Sequence, residues 1–267
     1  MNLLRDKFFP VVLACGALLC VLYALRPLCD PDFWWHLKTG EEMVRTGGLP
    51  SGNPFWFTGD AAMTARVRMI LHGYWLWQLC YYAVYAGTGF WGIVSLNVLL
   101  LLAIFGVVGW LLARQAVDDG IKGLLFALSL AVVAPCYYLE RPQVYSFLFC
   151  LLLVALLDRF RDRRELSRWL FPLMLLWGNI HGGVIVGIGL LALFLVGVAI
   201  QLRHDRRLVG KCALWTAGGI LCGVMNPATV SALAVYGQGL YSAPLSMGEG
   251  TREFNSTLEY RSPKPRT

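Results

Sequence analysis

A chain of 267 residues that is 57% hydrophobic and only 15% charged carries too little charge for a soluble domain, where about a quarter charged residues is usual. The net charge of +7 does not mark a nucleic-acid-binding protein, because most basic residues sit in short loops between apolar runs, where they act as topology signals. With a mean hydropathy of +0.59, these features describe an all-α, multi-pass bundle of membrane helices.

Taken in chain order, Arg5 and Lys7 precede the apolar run Phe8–Leu28. The run is long for a signal peptide and no small-x-small site precedes Asp30, so it reads as an uncleaved first transmembrane helix. Residues 29–88 then form a long loop that opens on "DPDFWWHLKTG". Asp30 suits a helix cap and Pro31 a first helical position. Asp32 to Arg45 reads as an amphipathic helix, with Phe33, Trp34, Leu37 and Val44 as the apolar stripe and His36, Lys38, Glu41, Glu42 and Arg45 as its polar part. Gly47-Gly48 ends it. Such a helix lies on the bilayer with its indoles at headgroup depth, which holds the two carboxylates and the imidazole at that depth too. Asp32 and His36, four apart, share a face. The aromatic stretch 71–86, "LHGYWLWQLCYYAVYA", reads equally as a span, a re-entrant piece or an interfacial helix.

Six further runs have spanning character: Phe90–Ala113, Ile121–Leu139, Pro142–Leu157, Trp169–Ile180, Gly183–Leu202 and Cys212–Met225. Trp169–Ile180 makes only roughly 18 Å of helix, so it either extends back through Leu166 or meets a thinned bilayer. Charge selects the topology. With 71–86 not spanning, one side receives Arg5, Lys7, Arg114, Lys122, Arg159, Arg161, Arg163, Arg164, Arg168, Arg203, Arg206, Arg207 and Lys211, which is thirteen of the 23 Lys and Arg. The expectation is therefore seven spans, with the N-terminus cytoplasmic and the C-terminus extracytoplasmic.

Under that topology four polar clusters share the outer face: Asp30, Asp32 and His36; Glu140, Arg141 and Gln143 in "ERPQ"; Asn179 and His181 in "GNIHGG"; and Asn226 in "NP". Arg141 either snorkels to lipid phosphate or neutralises a leaving phosphate. Asn179 and His181 are the least lipid-compatible residues of a very apolar region. Asn226-Pro227 reads mainly as a helix end, and His72 as interfacial. The eight cysteines form no CxxC pair, and a pairing of Cys29 with Cys80 stays open. No Gly-rich nucleotide loop, GxSxG elbow or HExxH motif occurs.

The ordered series "DPDFWWHLKTGEEMVRTGGLPSGNPFWFT", "RPQVYSFL", "WGNIHGGVIVG" and "NP" resembles the GT-C glycosyltransferase superfamily over roughly residues 1–260. That group includes protein O-mannosyltransferases and lipid A aminoarabinose transferases, and the nearest resemblance is to bacterial multi-pass members without assigned substrate. The resemblance implies a transmembrane module over 1–241, an acidic catalytic residue on the first outer loop, and a bacterial inner-membrane location. It implies a polyprenyl-phosphate sugar donor and transfer to an acceptor hydroxyl on a glycan, lipid or protein. Many members have adjacent acidic residues where this chain has Asp30-Pro31-Asp32, so the choice of base between Asp32 and Asp30 stays open. Members also continue past the seventh span. This chain stops in "EYRSPKPRT", so 242–267 reads as an extracytoplasmic tail that starts a longer loop.

The chemistry expected is proton acceptance by Asp32 or Asp30, with His36, Arg141, Gln143, Asn179 and His181 binding the substrate. An apolar interface would raise the pKa of such a carboxylate. A divalent cation on Asp30, Asp32 and His36 is left open by so small a ligand set. Two alternatives stand beside this reading: a transporter or flippase of lipid-linked sugars, and a truncated, non-catalytic membrane module.

Overall fold

The structure, a computed structural model of the chain, describes residues 8–25, 30–52, 65–133, 140–229 and 231. Arg5, Lys7, Cys29, Cys136 and the whole 242–267 tail lie outside the described residues. Within them the fold is all-helical, without strands. The elements are α1 (Phe8–Ala24), α2 (Pro31–Thr46), α3 (Ala65–Gly73), α4 (Trp75–Ala113), α5 (Asp119–Val133), α6 (Gln143–Arg163), α7 (Leu170–Ile180), α8 (Val184–Gln201) and α9 (Arg206–Val224).

All seven apolar runs are helical in their described parts, but their lengths differ. Among the described residues three stretches are long and apolar enough to cross a membrane: α4, Gln143–Phe160 of α6, and α8; α1 and α7 are shorter apolar helices. The outward surface agrees with a lipid environment. In α8 only Gly187, Leu191 and Val198 are buried, while Ile185, Val186, Leu193, Val196 and Ile200 are exposed. A helix apolar all round belongs in a hydrophobic medium. The backward extension of α7 through Leu166 does not occur. Arg164 in the left-handed region (φ 55°) closes α6, and Leu166 is instead buried with Phe160, Val198 and Cys212. The connector packs as an irregular segment, and the helix starts at Leu170.

The decisive local feature is in α4. In a straight helix residues 81 and 97 would stand about 24 Å apart. Yet the Tyr81 hydroxyl donates to Asn97 Oδ1 at 3.1 Å. The chain therefore folds back midway, at Gly89, whose φ of 64° and ψ of −153° lie in a region that only glycine enters readily. The stretch 71–86 is thus not continuous with the next span. Its first part ends α3, and the rest forms the first limb of α4, which buries Trp77, Gln78 and Tyr81.

The interior falls into three clusters. One joins α2, α4, α6, α7 and α8 through Phe33, Trp77, Ile93, Leu153, Met174, Trp177 and Leu191. A second joins α1, α4, α5 and α6 through Cys20, Leu101, Phe105, Phe126 and Val144. The third, around Phe160 and Cys212, lies at the far end of α6 and α8. The basic connectors gather at that far end, where Arg114 pairs with Asp158 and Lys211 with Glu165, both at 3.7 Å. The turns that follow Glu140, His181 and Met225 lie at the other end, together with α2 and α3.

Replacing Gly89 by Ala forces a Cβ into this mirror-extended conformation, at a cost of about 1–3 kcal/mol. Gly87 has open space and no such φ. In detergent-solubilised protein, Gly89→Ala lowers the thermal unfolding midpoint and Gly87→Ala does not; equal midpoints would contradict the fold-back.

Candidate functional site

α2 begins as its sequence dictates. Asp30 is the N-cap, its Oδ1 accepts from the Asp32 N–H at 3.0 Å, Pro31 takes the first helical position, and Gly47 closes the helix at φ 73°. The face that α2 buries is rotated from the expected one. Phe33, His36, Leu37, Gly40 and Met43 are buried, whereas Trp34 and Val44 are exposed. The cause is the partner surface. A Cβ on Gly40 would collide with the Gln78 carbonyl and the Tyr82 side chain. The bare glycine lets α2 sit directly on the first limb of α4, and it draws His36 inward.

Two carboxylates and one guanidinium meet at the start of this helix. Arg141 donates to Asp30 through Nε (to Oδ2, 2.9 Å) and Nη2 (to Oδ1, 3.0 Å), and its Nη2 also lies 2.8 Å from Asp32 Oδ2. Exposure separates the two acids: the Asp30 side chain is 1% exposed, Asp32 46% and Arg141 31%. Asp30 therefore spends both oxygens on structure. Asp32 also accepts from Trp35 Nε1 at 3.3 Å, and it is the carboxylate that an incoming molecule can reach. The trio sets two carboxylates against one guanidinium. That suits proton acceptance at Asp32 better than anion capture by Arg141 alone.

His36 is buried between rings. It stacks on Trp35 (centroids 3.7 Å apart) and meets Trp77 edge-on at 4.8 Å, and Gln78 Nε2 donates to its Nδ1 at 3.0 Å. Burial first, and the nearby Arg141 charge second, hold its pKa down at about 3. His181, the C-cap of α7, accepts at Nδ1 from the Ser146 hydroxyl at 2.7 Å and from the Gly183 N–H at 3.0 Å, while Trp177 Nε1 donates to Ser146 Oγ at 2.9 Å. Burial lowers its pKa to about 4. Both imidazoles are thus neutral at pH 7, and with Nδ1 accepting, each carries its proton on Nε2. Tyr74 lies between them, its ring 6.1 Å from His36 and 5.3 Å from His181.

The remaining sequence-derived residues divide clearly. Asn179 is a staple: Oδ1 accepts from Trp75 Nε1, and Nδ2 donates to the Leu175 and Met225 carbonyls, all at 2.8 Å. Asn226 does the same work, donating to the carbonyls of Gly73 (3.1 Å) and Gly178 (2.8 Å). The two amides hold the α3–α4 junction against the ends of α7 and α9. Glu140 is buried beside Arg141. Gln143 starts α6 and is exposed. His72 Nε2 lies 2.8 Å from the Pro50 carbonyl, outside the cluster. Among the described residues no group of three or more His, Cys, Asp or Glu side chains is placed to hold a metal ion. Asp30 faces Arg141, and His36 Nδ1 faces Gln78, so Asp30, Asp32 and His36 do not converge as a ligand set.

Tyr74, Gln78, Ser146 and Trp177 were not anticipated as part of the site. The available signal was a polar residue within an otherwise apolar segment: Gln78 in "YWLWQLCYY" and Ser146 one turn into α6. Comparison with protein-family models, curated proteins and solved structures returns no match.

Two consequences are measurable. Both imidazoles have folded pKa values below the ordinary 6.5, so the unfolded chain binds protons first. The stability they protect is complete above pH 6.5 and is lost as pH falls toward 4, at up to about 1.4 kcal/mol per pH unit for each. The thermal midpoint is expected to drop across that window, with a shallower slope in His36→Gln and His181→Gln. Secondly, Asp30→Ala removes a cap and one partner of a mostly buried ion pair, and destabilises by about 3 kcal/mol. Asp30→Asn keeps the cap acceptor and loses less; a chemical-denaturation series on the two variants checks the order.

Proposed function

We propose that the chain is an integral-membrane glycosyltransferase of the GT-C type, moving a sugar from a polyprenyl-phosphate donor to an acceptor hydroxyl at the extracytoplasmic face of a bacterial inner membrane. The observation that carries this reading is the reachable Asp32 carboxylate, held beside a half-exposed Arg141 by the buried Asp30. In this mechanism Asp32 takes the proton of the acceptor hydroxyl, and the hydroxyl oxygen bonds to the anomeric carbon. The bond from that carbon to the phosphate oxygen breaks, and its electron pair leaves on the polyprenyl phosphate. In this reading Arg141 faces the departing charge, and the Nε2–H groups of His36 and His181 serve as neutral donors to the substrate. Asp30 positions Asp32 and Arg141 and takes no proton. The motifs and the resemblance they carry point to the substrate class, and the exposure of Asp32 against the burial of Asp30 supports this division of labour between the two acids.

Sidedness rests on charge. The connectors 114–118, 164–169 and 202–205, with their flanking basic residues, lie opposite the Asp32 end, and a basic end is the cytoplasmic one. A transporter would place ionisable groups near the middle of broken spanning helices. Here the charged side chains among the described residues sit at helix ends or on α2 and α3, which favours chemistry at an interface.

The test is direct. Full-length protein in liposomes receives a polyprenyl-phosphate sugar and a membrane-lipid extract as acceptor source, and free polyprenyl phosphate is measured beside sugar movement across the bilayer. Release that falls at least 100-fold in Asp32→Asn, with an unchanged thermal midpoint, supports the assignment. Equal release by wild type and Asp32→Asn, or sugar movement without release, overturns it.

A further inference from the structure

A second feature lies away from the Asp32 site and is independent of any glycosyl transfer. A groove of about 800 Å³ opens on the side of the bundle between the second limb of α4, α6 and α7. That volume lies in the range of pockets that hold organic ligands. Its floor is made of small and aliphatic residues, Ala103, Gly106, Val107, Leu152 and Ala155 among them. A Cβ on Gly106 would meet nothing within 4 Å, so the space is open down to the helix backbone.

The polar part of the groove lies at one end only. Arg159 lines it and is exposed, and no described residue forms an ion pair with it. Two indoles, Trp110 and Trp169, flank that end. Each is itself met by an arginine: Arg114 lies 5.1 Å from the Trp110 ring centre and Arg168 5.9 Å from that of Trp169. The order along the groove is therefore aliphatic floor, then indoles, then guanidinium. That order matches, layer by layer, an acyl chain, a glycerol backbone and a phosphate.

We infer that this groove is a specific site for an anionic phospholipid, with the acyl chain lying on the Gly106–Ala155 floor and the phosphate paired to Arg159. Arg159 is at the basic end of the bundle, so the lipid comes from the leaflet opposite the Asp32 site. It is a structural ligand, not a substrate of that site. The apolar floor accepts an acyl chain of any phospholipid, while a net negative headgroup is what Arg159 selects. A packed helix of a second copy would need to place a charge-complementary group at Arg159 as well; that occupant is an outcome of the test.

The experiment uses full-length protein in mild detergent, titrated with phosphatidylglycerol or phosphatidylcholine, with bound lipid counted by native mass spectrometry. The expected result is one retained phosphatidylglycerol per chain, and phosphatidylcholine retained at least several-fold less. Arg159→Gln weakens phosphatidylglycerol retention roughly fivefold. Arg207→Gln, an exposed arginine at the same end but outside the groove, leaves it unchanged. Gly106→Leu, which fills the open floor, reduces retention of both lipids while the thermal midpoint holds. Equal losses in Arg159→Gln and Arg207→Gln would reduce the effect to general surface charge and overturn the site. Unchanged retention in Gly106→Leu, or a dimer cross-linked through residue 106 in Gly106→Cys, overturns it as well.

Discussion

A carboxylate that is 1% exposed is costly to bury unless the surrounding atoms replace its water, and Asp30 meets that demand with three N–H donors. One comes from the backbone of its own helix and two from Arg141, 111 residues further along the chain. The start of α2 is thereby bound to the turn before α6. Everything that matters at this end follows from that bond: the plane of the guanidinium, the exit of Asp32 toward solvent, and the position of Ser146 one turn beyond Arg141. The buried acid organises this end of the bundle, and its neighbour Asp32 is left exposed.

The rest of the site is built from neutral polarity. Gln78 and Ser146 fill the Nδ1 lone pairs of the two histidines, and Asn179 and Asn226 bridge backbone carbonyls that helix ends leave unsatisfied. In an apolar bundle each of these groups would be costly if unpaired. Paired, they lock α3, α4, α7 and α9 at one end without adding charge. A site with neutral imidazoles and a small excess of carboxylate is better arranged for taking a proton than for concentrating an anion. A phosphate-bearing substrate would then depend on its lipid part for affinity and on Arg141 for charge compensation.

How far the sequence could be read varies with the range of the forces involved. The cap at Asp30, the proline at the first helical position and the glycine stop of α2 are interactions within four residues, and all three stand in the structure. The face of α2 was misjudged, because Trp34 and Val44 are large and apolar and periodicity alone gives them the interior. The actual interior was decided by Gly40, whose missing side chain admits the backbone of α4. The aromatic stretch 71–86 was ambiguous for a similar reason. Composition allows it to run on as one helix, and a single glycine dihedral turns it back. Which of the two aspartates is buried was equally closed to inspection, since one caps the helix, the other lies in its first turn, and both pair with Arg141.

The amino-acid sequence by itself determined a helical, apolar fold, the approximate location of the apolar helices among the described residues, the limits of α2, and the polar residues that do not belong in hydrocarbon. These follow from hydrophobicity and local backbone chemistry, which act over a few residues. Only tertiary structure decided that Asp30 is consumed and Asp32 presented, that His36 is a core residue, that Tyr74 joins two histidines, and that α4 doubles back. Each of those depends on surfaces that meet across 16 to 111 residues of chain, and packing, unlike propensity, has no short-range signature.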